Sequence, residues 1–273
     1  LEHSDDNQEA LDYLAHISWQ VGHLPFARSI DAMPAGKRTL DLRGFRNELF
    51  VNSSYDWVED RPDWYHAGFS YTRHIRPDLN GGISFHHYRR NDMDDQEIGL
   101  HLAYRWNMRL SLELQSLFAT ERNFLAIQKH RPTLMLSLPT FTVLGFGMRW
   151  DEYESGWGNV ARLSLKQYYR IFYGEYTLLT GTDNFDQSVT THIGRIGFEK
   201  DEKLFCHIGY SYGDETLDEF GSSVFSDQLV ESLFFNIRYF ASSSWGIVLA
   251  GGPEYRDDQL FRTTAALSLF LRF

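Results

Sequence analysis

The chain has 273 residues and a formal net charge of −11, and this acidic balance argues against a nucleic-acid-binding surface. Its single cysteine excludes a disulfide framework and a cysteine-rich zinc site. Aromatic residues make up 16% of the chain, too many for an intrinsically disordered protein. No apolar run approaches the ~18 residues of a transmembrane helix. A membrane β-barrel stays possible, because alternating strands do not raise the mean hydropathy.

The N-terminal part of the chain has a different pattern from the rest. Residues 7–20 place apolar side chains such as Leu11 and Leu14 at nearly helical spacing. Their order is similar to a tetratricopeptide helix pair, although one such repeat cannot bury its apolar face alone. A plain amphipathic helix fits the pattern as well. We therefore predict a helical, degenerate tetratricopeptide-like segment over residues 1–36, followed by a second domain over residues 37–273.

The second domain alternates between apolar and polar residues, as strands with two different faces do. In one segment, Ile98, Leu100 and Leu102 alternate with Glu97 and His101. Most of the alternating segments are near the ~9–11 residues that a tilted strand needs to cross a bilayer. The fourteen segments are 48–57, 64–73, 82–90, 96–106, 108–118, 129–138, 141–151, 158–168, 171–180, 188–199, 204–212, 229–239, 245–255 and 261–273.

Three features favour a membrane barrel over a soluble β-sandwich, which also alternates. The polar face carries charges at strand centres, the apolar face has aromatic residues near the strand ends, and longer connections alternate with shorter ones. The longer class comprises the connections after odd-numbered segments. We predict an all-β fold, a transmembrane antiparallel up-and-down β-barrel of about fourteen strands. Twelve or sixteen strands are the alternatives, because residues 38–47 and 124–131 are ambiguous.

The last strand resembles the closing-strand signal that outer-membrane proteins present to the barrel-assembly machinery. Leu267, Leu269 and Leu271 alternate up to a terminal aromatic residue, Phe273. This signal predicts localisation in the outer membrane of a Gram-negative bacterium, with the N-terminus in the periplasm. The expected partners are the lipid bilayer, lipopolysaccharide and the barrel-assembly machinery, with no nucleic acid.

The whole chain is similar to the YaiO-type group of outer-membrane barrels and, in layout, to the tetratricopeptide-plus-barrel proteins of exopolysaccharide export. The similarity lies in Leu14, Trp19, Gly22 and Ala27, Arg61-Pro62-Asp63-Trp64, Tyr71-Thr72-Arg73, Gly81-Gly82-Ile83, Tyr88 and Leu271-Arg272-Phe273. It implies a translocation barrel that receives a sugar polymer from a periplasmic scaffold. A polysaccharide and periplasmic or inner-membrane export components are then the further partners.

The charged face of the strands is expected to line a wet lumen. Aromatic and histidine side chains on the same face, such as Tyr173, Phe234 and His207, suit a path along which sugar rings slide. The same inventory also fits ion-paired ladders that only brace a barrel. The predicted translocation path consists of Glu97, Arg105, Arg109, Glu113, Arg149, Arg162, Glu175, Arg195 and Arg238.

Acidic residues concentrate in the connections after odd-numbered segments, which face the cell exterior in the predicted orientation. A mouth lined with charges of one sign concentrates counter-ions and steers charged solutes such as a partly deacetylated amino-sugar polymer. Alternatively, these acids bind the divalent cations that bridge lipopolysaccharide. The predicted acidic outer mouth comprises Asp60, Asp94, Asp95, Glu152, Asp214, Asp218 and Asp257.

No catalytic motif is recognisable in the sequence. It contains no phosphate-binding loop, dinucleotide-binding fingerprint or zinc motif, so we predict neither a cofactor nor a metal. Two alternatives to transport remain. One is a non-transporting surface receptor, adhesin or membrane-integrity barrel, and the other is a lipid hydrolase. The hydrolase requires a lipid-facing histidine beside a hydroxyl group, for which His66, His87 and His192 are the candidates.

Overall fold

Every strand in the structure belongs to a single sheet. The computed structural model describes residues 47–59, 62–76, 78–90, 92–107, 109–121, 123–200, 203–216, 224–242, 244–256 and 259–273. The predicted helical segment over residues 1–36 lies outside these ranges. No helix among the described residues has the length and apolar character needed to cross a membrane.

Fourteen antiparallel strands form a closed barrel, in which each strand pairs with its neighbours in the chain and the first pairs with the last. This confirms the predicted count of fourteen. Of the two ambiguous stretches, 38–47 lies outside the described residues except for Asn47, which begins β1, and 124–131 is a connection up to residue 127. The strands are β1 (Asn47–Val58), β2 (Trp64–Arg76), β3 (Leu79–Arg90), β4 (Met93–Arg105), β5 (Leu110–Ala119), β6 (Gln128–Leu138), β7 (Thr142–Tyr153), β8 (Gly156–Tyr169), β9 (Phe172–Thr182), β10 (Ser188–Lys200), β11 (Leu204–Thr216), β12 (Val224–Phe240), β13 (Trp245–Arg256) and β14 (Gln259–Arg272).

The two faces of the barrel wall differ in burial as the alternation predicts. On β1, Asn52, Ser54 and Asp56 are buried, whereas Val51 and Tyr55 at the alternate positions are exposed. The same alternation runs around the barrel, so apolar side chains cover its outside. The exposed side chains include Leu165, Ile196, Leu267 and Leu269. A continuous apolar belt of this extent is unsuitable for contact with water and is typical of a lipid-facing surface.

The two ends of the barrel are distinguished by the chain termini of the sheet. Asn47 and Phe273 exchange backbone hydrogen bonds of 2.9 and 3.0 Å, and we call their end the terminal mouth. The even-numbered strands end at this mouth, and the positions between each of them and the next strand are 77–78, 106–109, 139–141, 170–171, 201–203 and 241–244. The opposite end is the loop mouth, and its connections are residues 59–63, 91–92, 120–127, 154–155, 183–187, 217–223 and 257–258.

The expectation that all connections at the loop mouth are the longer ones is wrong for three hairpins. The strands continue into the segments predicted as connections 91–95, 152–157 and 256–260, leaving only short turns. Strand pairing also extends into the predicted connection 213–228, where Glu215 pairs with Phe225. Backbone pairing continues beyond the apolar belt, so the loss of hydrophobic alternation did not mark the strand ends.

A positive charge on the outer face tests the orientation of the wall. We expect Ile196→Arg to destabilise the barrel in a lipid bilayer by about 2–4 kcal/mol, because the guanidinium would lie in hydrocarbon. The matched control is Thr133→Arg on the inner face, opposite Glu113 in the register, which we expect to cost less than about 1 kcal/mol. Reversible urea unfolding in vesicles measures both changes. An equal cost for the two variants would contradict the assigned faces.

Candidate translocation path

The barrel register places almost all of the predicted path residues on the inner wall. They are Glu97, Arg105, Glu113, Arg149, Arg162, Glu175, Arg195 and Arg238. Arg109 differs, because it lies in the β4–β5 turn with an exposed side chain. The side-chain oxygen of Asn107 accepts the backbone N–H of Arg109 at 2.8 Å. The predicted segment 108–118 thus begins before the strand itself, because β5 starts only at Leu110.

A ladder of opposite charges runs along the inner wall from β5 to β10. The Arg195 guanidinium lies 3.3 Å from the Glu175 carboxylate, and that of Arg162 lies 3.9 Å from the same oxygen. Glu113 and Arg131 act electrostatically on Arg162 from β5 and β6. The Arg162 side chain is 46% exposed, and Glu113 is exposed as well. Exposure on an inward face means that these ionised groups are accessible to water inside the barrel.

The ladder is loosely paired, which matters for transport. Ion pairs in contact with water contribute only about 0–1 kcal/mol each, so a passing ion or polar group can exchange places with a wall charge at little cost. Both signs are present, with Glu113 and Glu175 facing Arg162 and Arg195. The arrangement therefore offers hydrogen-bond donors and acceptors along one line without a single tight site.

Charges nearer the loop mouth are buried and firmly paired. The Lys129 ammonium lies 2.7 Å from the Glu97 carboxylate, with 3% and 2% of the two side chains exposed. Removing one partner of such a buried pair typically costs about 3–5 kcal/mol, because the other charge is left uncompensated. Glu97 thus lies on the predicted path but is engaged in bracing the wall.

A second buried network crosses the seam between the first and last strands. Arg262 lies 2.9 Å from Glu254 and 3.2 Å from Asp56. Arg256 lies 3.1 Å from Glu254, and the Thr264 hydroxyl donates to Asp56 at 2.5 Å. Strands β13, β14 and β1 are therefore tied together by charge-assisted hydrogen bonds, which are stronger than neutral ones.

The β5–β6 connection is fixed to the inner wall by one carboxylate. Asp95 is fully buried, and its two oxygens accept the backbone N–H groups of Asn123, Phe124 and Leu125 at 2.8, 2.9 and 2.7 Å. Since Asp95 faces inward from β4, these contacts hold the connection against the inside of the loop mouth. Ala126, which follows, is also buried.

Aromatic and cationic side chains next to the β5–β6 connection make further contacts along the inside of the loop mouth. The Arg90 guanidinium lies 5.1 Å from the ring centroid of Phe124 and 4.7 Å from that of Trp64. The Arg262 guanidinium lies 5.4 Å from the same Trp64 ring centroid. Cation–π contacts of this kind link the connection on one side of the mouth to the seam strands on the other.

The structure also shows inner-wall features that the sequence interpretation missed. Val160, Leu179, Val189 and Ile193 form a buried apolar cluster on β8–β10, and Phe234 packs against it. The signal was present, because Val160 has the same parity as Arg162 on β8, and Val189 and Ile193 have the same parity as Arg195 on β10. One sector of the wall near the loop mouth is therefore apolar, whereas the sequence interpretation predicted a lining of charged, histidine and aromatic side chains.

Described members of the predicted acidic outer mouth take part in local hydrogen bonding. Asp94 faces outward, 3.5 Å from His87, and Asp95 holds the β5–β6 connection. Glu152 accepts a 2.5 Å hydrogen bond from Gln128, and Asp214 accepts the backbone N–H of Thr190 at 2.9 Å. The remaining members lie outside the described residues; they are Asp60, Asp218 and Asp257.

The histidines considered for lipid chemistry lie on different faces. His66 faces inward, with its Nε2 3.1 Å from Nδ1 of His86. His87 faces outward beside Asp94, and His192 also faces outward, with its Nδ1 2.7 Å from the Tyr176 hydroxyl. Within the described part of the chain, no group of three or more histidine, cysteine or acidic side chains is placed to hold a metal ion.

Comparison with solved structures identifies the fold. The outer membrane protein Omp33 of Acinetobacter baumannii matches with a TM-score of 0.52 and 10% identity, over 84% of this chain and 99% of that one. A bacterial polysaccharide outer membrane secretin matches with a TM-score of 0.53 and 9% identity, over 83% and 98%. The CymD monoaromatic hydrocarbon channel matches with a TM-score of 0.55 and 10% identity, over 84% and 88%. The chain therefore has the fold of outer-membrane β-barrels.

Comparisons at the sequence level give no match. No protein-family model matches the chain, and a search of curated proteins found no similar sequence. The similarity to other barrels is thus one of architecture.

The anchoring of the β5–β6 connection can be tested at Asp95. We expect Asp95→Asn to lose at least one of the three hydrogen bonds and to turn an amide NH₂ toward backbone N–H groups, at a local cost of about 1–3 kcal/mol. Amide hydrogen exchange at residues 123–125 should accelerate about tenfold or more, because exchange reports local opening.

The matched control is Asp94→Asn, one residue away on the opposite face of β4. Its side chain contacts His87 rather than the connection, so exchange at residues 123–125 should not change. Equal acceleration in both variants would show that the connection is not held by Asp95.

Proposed function

We propose that this chain is an outer-membrane channel for hydrophilic solutes, with an exopolysaccharide as the transported cargo. The observation that carries the proposal is the water-accessible ladder of Glu113, Arg162, Glu175 and Arg195 on the inner wall. Exposed ionised groups inside a barrel with an apolar outside require a wet interior. They also provide the weak, repeated hydrogen bonding that a moving polar chain requires.

The asymmetry between the two mouths supports a directional path. Inward side chains are buried near both mouths, as Glu97 at the loop mouth and Arg105 and Glu199 at the terminal mouth show. The difference is the β5–β6 connection, which Asp95 holds against the inside of the loop mouth and which narrows the path there. In the predicted orientation this constriction is on the external side, and the terminal mouth receives cargo from the periplasm.

A polysaccharide cargo is consistent with the chemistry of the lining. Its hydroxyl groups pair with carboxylates and guanidinium groups, and its ring faces pack on inward aromatic side chains that are partly exposed, such as Phe234. Tyr173 also faces inward, but it is buried in contact with Lys166 and Tyr168 and offers no free ring face. The fold is shared with a polysaccharide secretin and a hydrocarbon channel, so both a polymer and a small molecule have precedent as cargo on this architecture.

Planar-bilayer recording of the purified chain tests the channel directly. We expect steady single-channel conductance that is reduced by an amino-sugar oligomer added at the terminal mouth. A unit charge at about 4 Å contributes about 1 kcal/mol in a water-like dielectric. Glu113→Lys should therefore lower the cation-to-anion permeability ratio severalfold, and Arg162→Glu should raise it severalfold.

The control for these recordings is Arg109→Glu, which changes a charge in a turn instead of on the inner wall. We expect it to leave the permeability ratio nearly unchanged. Identical shifts for Arg109→Glu and Arg162→Glu would contradict selectivity by the ladder. Conductance that the oligomer does not reduce would exclude the polysaccharide cargo but leave the channel intact.

A non-transporting surface protein is the second candidate, favoured by the dense packing at the loop mouth. Buried ion pairs, the apolar cluster around Ile193 and the β5–β6 connection fill much of the inward face there. If these groups seal the barrel, the bilayer recordings will show no conductance. A receptor or adhesin role would then depend on the connections at the loop mouth.

A further inference from the structure

A cavity of about 220 Å³ lies in the inner wall near the terminal mouth. Phe50, Val248 and Phe270 form its apolar lining. Phe50 on β1 is the direct register partner of Phe270 on β14, and Val248 comes from the adjacent strand β13. Two aromatic rings and a branched aliphatic side chain thus give one small cavity a mostly apolar wall.

The aromatic lining is held in place by its neighbours. The ring of Phe240 packs edge-on against Phe270, with centroids 5.7 Å apart. The Arg272 guanidinium lies 4.6 Å from the Phe270 centroid, and its Nε lies 3.4 Å from Oε1 of Glu48. The wall is therefore ordered before a ligand enters, which lowers the entropic cost of binding.

One side of the cavity offers a hydrogen-bond acceptor. Glu48 lines the cavity together with Ser70 and Thr72. Both close contacts of Glu48, with His74 at 3.2 Å and with Arg272, are made by Oε1. Among the described residues Oε2 makes no hydrogen bond. A ligand hydroxyl placed here could donate to a carboxylate oxygen, which makes a strong hydrogen bond.

The other side of the cavity presents a positive charge. Arg238 on β12 lines the cavity, has an exposed side chain and is the register partner of Val248. The guanidinium of Arg238 matches a planar carboxylate, with which it can form two parallel hydrogen bonds.

We infer that this cavity binds a single-ring aromatic monocarboxylate that carries a ring hydroxyl. The carboxylate pairs with Arg238, the ring packs against Phe50 and Phe270, and the hydroxyl donates to Oε2 of Glu48. The volume is below the ~300 Å³ at which drug-sized pockets begin and suits an occupant of about one ring. Binding here does not require the barrel to conduct, so this inference and the proposed function can fail separately.

Equilibrium binding to the detergent-solubilised full chain tests the site, with 4-hydroxybenzoate as the probe and isothermal titration calorimetry as the readout. We expect Arg238→Gln to weaken binding about tenfold or more, because a hydrogen-bonded charge pair is lost. Arg109→Gln is the matched control. It removes an exposed guanidinium in the β4–β5 turn, outside this cavity, and should leave the affinity unchanged.

Two ligand comparisons on the unaltered chain keep the test independent of any folding defect in the variants. 4-Hydroxybenzyl alcohol, which lacks the carboxylate, should bind at least tenfold more weakly than 4-hydroxybenzoate. Glucuronate, which has a carboxylate and hydroxyls but no aromatic ring, should also bind at least tenfold more weakly. Equal affinity for either compound, no binding of 4-hydroxybenzoate, or an equal loss in Arg109→Gln would overturn the inference.

Discussion

The structure depends on the requirement that every backbone N–H and C=O group within a bilayer has a partner in the protein. Hydrocarbon offers no hydrogen bonds, so only helices and closed barrels satisfy this requirement across a membrane. Closure of β1 onto β14 removes the two edges that an open sheet would leave in lipid. Once the sheet is closed, alternate side chains must point inward, and this places charged residues such as Glu113 and Arg162 inside the barrel.

Much of the fold could be predicted because this constraint leaves a strong pattern in the sequence. Lipid on one side and water on the other impose a period of two, and that period identified all fourteen strands. The same period assigned Glu175 and Arg195 to the inner wall. It failed at Arg109, because alternation continued through a turn, and at 91–95, where pairing continues after the apolar residues end.

The side-chain contacts at the loop mouth could not be predicted from the alternation of apolar and polar residues. Lys129 and Glu97 are 32 positions apart, and their pairing depends on the register of β4, β5 and β6. Asp95 was assigned to an acidic rim because acidic residues cluster around it, yet its parity with Glu97 already indicated an inward direction. The cavity near Arg238 is lined by side chains from the first and the last strands of the sheet, and local sequence spacing carries no information about which distant side chains come into contact.

The network around Arg262 has a consequence for how the barrel is assembled. All other neighbouring strands follow each other in the chain and form hairpins, whose closure costs little chain entropy because few residues separate the two strands. The seam joins residues 206 positions apart, as in the contact between Arg262 and Asp56, and such non-local pairing slows folding. The hairpins are thus able to form while the sheet is still open, and the final pairing requires β14. The buried ion pairs at the seam then form only when β1 and β14 have paired, and they stabilise the closed barrel over the open sheet.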